Sequence, residues 1–338
     1  MKVYLYGTPG NIGGAATKIR HLLRLLHQEV DFTVILTHPS WRKNKQVMGF
    51  LAELKIPHCL LKELPRQVSG VVLAICELQF FSSGVARRLK EKGLKIVWSN
   101  EMMWSFKGEA EAVKAGLIDR VLWVSEFQSK VEAFAEMYRG VPSVIVENYI
   151  DPDDFHWKER RNETFTIGRL SRPDPVKYPL NFPHFYEALV PGDVRYRVMA
   201  WSEEMAKQYR WHRFGPEWEL LPKNNLATVD FLWSLDLFVY PLRHRFRESW
   251  GRVVVEAMLT GCPPVVPRGH HFHNMLVDDE SGYLCGSFEE WQAAVERLYR
   301  DYPFRQRMSR RCSDYARETH CDPAGHRSIW LEALSFSE

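Results

Sequence analysis

Apolar and polar positions alternate along the first half of the chain in a regular beat. Residues 2–6 (KVYLY) are a short β-rich run, a glycine-rich stretch follows over 7–14, and residues 15–27 then set Ile19, Leu22, Leu23 and Leu26 at helical spacing, with Lys18, Arg20 and Arg24 at other positions. Further apolar runs of strand length stand at 32–37, 71–75, 95–98, 121–124 and 143–146, and amphipathic segments at 83–92 and 127–138 separate several of them. This alternation predicts parallel strands joined by crossover helices. A polar, turn-like stretch at 148–154 interrupts the beat. It restarts with strands predicted at 165–167, 195–199, 218–221, 237–240 and 264–266, and the segment 303–334 reads as helices. The pattern is that of two α/β domains in tandem, with a boundary near residues 148–160. No repeat of about 20–50 residues and no low-complexity tract breaks it.

Composition agrees with this picture. A length of 338 residues, 45% hydrophobic and 26% charged, describes an ordinary globular chain with material for two cores. Net charge is only +3, too little to argue for a nucleic-acid partner. Its distribution is uneven: residues 1–150 carry 20 Lys/Arg against 14 Asp/Glu, the remainder 25 against 28. A basic first half leaves peripheral contact with a membrane surface open. The six cysteines show no C-x-x-C spacing, so neither a zinc site nor a dense disulfide frame is expected from them. The opening MKVYLYG lacks the pattern of a signal peptide, and the most apolar stretch, near residues 71–81, is too short to span a bilayer. The expectation is a soluble, reduced, cytoplasmic protein.

Three places carry candidate chemistry. The loop at 7–14, with glycines at Gly7, Gly10, Gly13 and Gly14, sits between a strand and a helix, where free backbone N–H groups and the positive dipole end favour an anionic ligand. Its G-x-x-G-x-x-G spacing also fits a dehydrogenase fingerprint. That reading needs an acid ending the second strand and a Tyr-x-x-x-Lys pair, and the chain has neither. After the first strand of the second half come Arg169, Arg172 and Lys177, cations at a strand end in a proline-stiffened loop, suited to a diphosphate. Last, Glu248 precedes Ser249-Trp250-Gly251, and Glu256 stands eight positions on within an apolar run that suits a helix, though its valines also suit a strand. A helix beginning near Gly251 would aim free N–H groups into the same strand-end site. A buried Glu256 needs hydrogen-bonding partners: a ribose diol supplies two donors, and a neighbouring Arg is the alternative. For Glu248 the alternative is a surface ion pair with Arg243, Arg245 or Arg247.

These pieces resemble the family 4 (group 1) retaining glycosyltransferases of the GT-B fold. The resemblance rests on the E-x7-E motif from Glu248 to Glu256, on Gly168-Arg169-Leu170-Ser171, on Gly261-Cys-Pro-Pro-Val-Val266 and on Gly282-Tyr-Leu284. In the first half it rests on Gly13-Gly14-Ala15, Val124-Ser125-Glu126-Phe127 and Asn148 through Phe155, all in the family's order. It implies an α/β GT-B fold, two Rossmann-like domains with parallel sheets facing a central cleft. An acceptor-side domain would span 1–155 and a donor-side domain 156–320, with a C-terminal helix over 321–338 returning to the first. The activity implied is transfer, with retention, of a hexose or N-acetylhexosamine from a nucleotide diphosphate sugar (UDP favoured) to a hydroxyl acceptor: a glycan, a lipid-linked molecule or a small molecule. No metal and no cofactor are expected, the nucleotide sugar being a co-substrate. A GT-B nucleotide-sugar epimerase and a non-catalytic nucleotide-sugar-binding protein are the alternatives.

Residue by residue, the resemblance assigns Arg169 and Lys177 to the diphosphate, with Arg172 sharing the role because Lys177 stands eight residues after Arg169 where the family has about five. Backbone N–H groups at Ser249, Trp250 and Gly251 receive the distal phosphate. Glu248 takes the sugar hydroxyls and Glu256 the ribose; Gly13 and Gly14 approach the donor, and Leu220-Leu221-Pro222 lies near the base. Many members place a histidine after a first-domain strand. Here that region reads Trp98-Ser-Asn-Glu-Met-Met-Trp104, and Asn100 or Glu101 would replace it. Trp104, with Trp41, Trp98 and Phe106, is a candidate for stacking on acceptor sugar. His271, within His270-His271-Phe-His273, is expected near the donor sugar rather than on a metal, and Asp151-Pro-Asp153 as an interdomain turn rather than a metal motif.

Overall fold

The computed structural model describes residues 1–10, 13–160 and 162–336. The chain divides into two compact units, one of Met1–Tyr149 with Asp322–Glu338 and one of Ile150–Cys321.

Among the described residues, the first unit holds a seven-stranded sheet. Its strands are β1 (Lys2–Tyr6), β2 (Asp31–Leu36), β3 (His58–Leu60), β4 (Val71–Ile75), β5 (Lys95–Ser99), β6 (Arg120–Trp123) and β7 (Ser143–Ile145), in the order β3-β2-β1-β4-β5-β6-β7. Every pairing is parallel. The order turns back between β1 and β4, and in open sheets of this kind ligands sit beyond the carboxyl ends of the strands beside such a reversal. Period-two alternation buries both faces. Val3 and Leu5 join one core cluster with Leu22, Leu26 and Leu73, while Tyr4 and Tyr6 join another with Val72, Phe80 and Trp98. The closing helix Pro323–Leu334 belongs to this unit and adds Trp330, Ala333 and Leu334 to the first cluster.

The second unit has a six-stranded parallel sheet among its described residues: β8 (Phe165–Leu170), β9 (Val194–Met199), β10 (Trp218–Leu221), β11 (Leu237–Val239), β12 (Pro264–Pro267) and β13 (Tyr283–Cys285). The order is β10-β9-β8-β11-β12-β13, with the reversal between β8 and β11. Gly168 lies in β8, where a Cβ would stand 2.2 Å from the Arg197 carbonyl oxygen, so the glycine lets β8 and β9 approach. The helix Arg252–Leu259 settles the ambiguous valine run as a helix. It packs on the long helix Tyr302–His320, whose Ser313 hydroxyl donates to the Leu259 carbonyl at 2.8 Å.

Three differences from the sequence reading have physical causes. Strands β3 and β13 are three residues each, too short to show a period. The amphipathic segment at 127–138 is two helices, Glu126–Ser129 and Glu132–Met137, because Val131 between them is extended. The first boundary falls after Tyr149 rather than after residue 155. Ile150 and Phe155 are buried, and Arg317 donates to the Phe155 carbonyl at 2.6 Å, which ties this stretch to the second unit. No helix among the described residues is long and apolar enough to cross a membrane.

Candidate active site

In the second unit the site is built where β8 and β11 end. Asp174 accepts the Val176 N–H at 3.2 Å and so caps the turn Pro175–Lys177, which directs Lys177 inward and buries it. Its ammonium donates to Glu248 Oε2 at 2.7 Å, and Tyr240, the residue after β11, donates its hydroxyl to the same oxygen at 3.0 Å. The Glu248 backbone N–H donates to His270 Nδ1 at 3.2 Å. Two groups from separate segments thus converge on one carboxylate oxygen, and a third holds the backbone of the same residue. Burial alone would raise the Glu248 carboxyl, but the charge and hydrogen bond of Lys177, with that of Tyr240, hold it below the ordinary carboxylate range. Burial lowers His270, against the pull of Glu248, so the ring is neutral and able to accept.

Arg169, which the resemblance gives to a diphosphate, is fully buried, with its Cζ 3.7 Å from the Tyr178 ring centroid and 4.5 Å from that of Tyr240. Nη1 donates to the Pro241 carbonyl at 2.7 Å, while Nε and Nη2 have no hydrogen-bond partner among the described residues. Arg172 is exposed, 3.9 Å from Asp174, and its charge also helps hold Glu248 down. Gly251 caps the following helix at φ +90°, where a Cβ would stand 2.6 Å from the Phe272 ring. Ser249 is half-buried, and the Trp250 ring is buried 6.0 Å from that of His320, so only backbone at Trp250 is available to a ligand. Glu256 was assigned to a ribose. It is buried and paired with Arg252 at 2.8 Å, the arginine alternative raised above. Burial raises its carboxyl, with Arg252 opposing. His271 is fully buried, while His273 is exposed with Nδ1 2.9 Å from the His270 carbonyl. Asp151 accepts the Asp153 N–H at 3.1 Å, a turn cap as expected of that pair.

In the first unit Gly13 caps the helix Gly14–Leu26 at φ +92°, and both glycines are exposed; Asn11 and Ile12 of the loop lie outside the described residues. Lys18 was placed off the apolar face. It is buried instead, donating to Glu101 at 2.5 Å and lying 5.6 Å from the Trp330 ring. Glu101 follows β5 at φ +62°, a conformation costly to a residue with a Cβ, and also accepts from Ser99. Asn100 is fully buried and committed: its Nδ2 donates to both Glu109 oxygens at 3.0 Å and to the Trp104 carbonyl at 3.2 Å, and its Oδ1 accepts the Met102 N–H at 2.8 Å. It therefore shapes the loop instead of reaching outward. Glu109 is the buried hub, taking donors from Trp98 at 2.9 Å, Phe106 N at 2.6 Å and Tyr138 as well. Trp98 and Phe106 are core; Trp104 is 47% exposed.

Backbone strain marks the same places. Cys76 after β4, Glu101 after β5, Ala200 after β9 and His270 after β12 are all non-glycine residues in the left-handed region. Such conformations persist where surrounding structure imposes them, and they cluster at ligand sites. Tyr178, Tyr240, Lys18 and Glu109 escaped the sequence reading. Only Lys18 left a trace, standing one and nearly two helical turns before Leu22 and Leu25, on the buried face.

Residues 199–319 match the family model described as "Glycosyl transferases group 1". A search of curated proteins gives no match. Among solved structures, the chain is similar to Anabaena Alr3699/HepE in complex with UDP and glucose, at TM-score 0.76 and 16% identity over 99% of both chains. It is similar to TarM at TM-score 0.77 and 10% identity, again over 99% of both. A glycosyltransferase from Rickettsia africae ESF-5 aligns at TM-score 0.73 and 11% identity over 99% of both. The two parallel sheets and these likenesses define the GT-B fold. The part of the chain that matches the group 1 glycosyltransferase model lies within the second unit.

Proposed function

We propose that this protein is a glycosyltransferase that moves a hexose or N-acetylhexosamine from a UDP-sugar to a hydroxyl acceptor, with retention of configuration and without a metal in the transfer step. The observation that supports it is the convergence of Lys177, Tyr240 and His270 on Glu248, one residue before Ser249 and three before the Gly251 helix cap. Breaking the sugar–phosphate bond develops negative charge on the diphosphate and positive character on the sugar. Lys177, Arg172 and the N–H groups at the helix start stabilise the departing anion, and Arg169 adds positive potential from beneath Tyr240. Lys177 and Tyr240 both hold Glu248 through Oε2, which leaves Oε1 to accept sugar hydroxyls. Glu248 thus orients the sugar, and a departing phosphate oxygen takes the acceptor proton on the same face. UDP is favoured because the similar Anabaena protein was solved with UDP-glucose.

The test is a thermal-shift panel of UDP-, GDP- and ADP-sugars, followed by transfer assays with glycan, lipid-linked and small hydroxyl acceptors. Stabilisation by UDP-sugars, acceptor-dependent UDP release and an α-product from an α-donor by NMR are expected. Nucleotide release without acceptor would indicate an epimerase, and an inverted product would overturn the retaining mechanism. Glu248→Gln and Lys177→Ala should each lower kcat/KM by about 10²–10³. Chelator should leave transfer unchanged, and dependence on Mn²⁺ would overturn the metal-free step.

A further inference from the structure

A second cluster of the donor-side unit shares no residue with the site above. Its helix Phe182–Glu187 carries His184 and Glu187 three positions apart, on one face, and the turn after the helix Glu203–Gln208 brings His212 against them. His184 Nδ1 stands 3.3 Å from Glu187 Oε2, and His212 Nε2 stands 2.9 Å from Glu187 Oε1. All three ligand atoms lie within 4.8 Å of one another, and this is the one group of such spacing among the described residues.

Three features make it more than a surface coincidence. The His212 side chain is only 8% exposed, and its Nε2 is buried with no hydrogen-bond partner among the described residues, although it points at Glu187: the contact is close without hydrogen-bond geometry. Glu187 is itself oriented from behind, Oε1 accepting the Trp218 indole N–H at 3.0 Å, as donors behind a metal-binding carboxylate fix its orientation. The ring walls are aromatic. Phe214 lies 4.7 Å from His212 and Trp211 lies 4.9 Å from His184 by ring centroids. His184 is 64% exposed, so the open side faces solvent. Two imidazoles, one carboxylate and one open position are the donor set of a borderline divalent transition ion. Ligand atoms around tetrahedral zinc stand roughly 3.3 Å apart, by simple geometry from bond lengths of about 2.0–2.1 Å.

We propose that His184, Glu187 and His212 bind a divalent transition-metal ion of the zinc class, with water in the fourth position. The ion pins the Phe182–Glu187 helix to the turn bearing His212. Its role is structural and separate from transfer, and nothing in it depends on the proposed reaction.

The experiment uses the full chain stripped with chelator and titrated with Zn²⁺ or Co²⁺, following the melting temperature, the bound stoichiometry and the visible spectrum of the cobalt form. One ion per chain is expected, with a rise in melting temperature on the order of 5 °C at saturating Zn²⁺. Mg²⁺ should give no shift, since it avoids imidazole donors. His184→Ala, at an exposed position that leaves the fold intact, should weaken binding by at least about tenfold. His212→Ala should abolish it. Equal binding in the His184→Ala variant, no metal-dependent shift in the parent, or a thiolate charge-transfer band placing cobalt on cysteine would each overturn the assignment.

Discussion

Glu248 keeps its charge in a buried place because Lys177 and Tyr240 are held against it. A carboxyl depressed in the folded state contributes stability that is fully present above its unfolded value, about 4.3, and lost as pH falls through the folded one. Glu248→Gln should therefore destabilise at neutral pH, with the gap to the parent closing below about pH 4. Urea denaturation at both pH values checks it. His270 behaves in the complementary way: its folded value is lowered, so the unfolded chain takes the proton first and stability falls as pH drops below about 6.5. His270→Ala should flatten that part of the stability profile. The motif glutamates and Lys177 were legible as residues, and so was a neighbouring arginine as partner for Glu256, but the convergence of Lys177 and Tyr240 on Glu248 was not. Lys177 meets Glu248 only because Asp174 caps a turn 71 positions away in the chain. Arg169 was legible as a cation at a strand end, yet its burial depends on Tyr178 and Tyr240 closing over it from two other segments.

Elements that bury an apolar face on both sides announced themselves. Val71–Ile75 is such an element and was bounded without error; so was the edge strand Trp218–Leu221, buried only at Trp218, because fully apolar or β-rich runs end abruptly at polar turns. The edge strands β3 and β13, three residues each, gave no such signal, whereas the equally short β7 showed in the apolar run at 143–146. The start of the helix Arg252–Leu259 was legible from Gly251, and the structure supplies its reason: the cap needs positive φ and a bare Cα beneath Phe272. Gly251→Ala should cost about 1–3 kcal/mol, through both backbone strain and the displaced ring. It should also weaken UDP-sugar binding, since the helix start moves. Chemical denaturation and ligand titration on one variant separate the two effects.

At the scale of the whole molecule, two α/β units in tandem were readable from the beat of strands and helices. The seam was less so, because burial of Ile150 and the Arg317 contact to Phe155 are long-range facts. Trp330 is the residue through which the last helix enters the first unit's core. Trp330→Ala should cost that unit about 3–5 kcal/mol. Calorimetry should show its transition lowered while the transition stabilised by UDP-sugar holds.

The first unit is also interrupted by the second, leaving the chain at Tyr149 and resuming at Asp322. On a ribosome making about 5–20 residues per second, its seven strands emerge on the order of ten seconds or more before the helix that completes their core. For that interval the nascent sheet has a greasy flank where Trp330, Ala333 and Leu334 belong. The intervening unit, whose segments are contiguous, can finish first. Birth order and folding order are thus inverted: the unit whose strands are made first is the one that waits for its last helix.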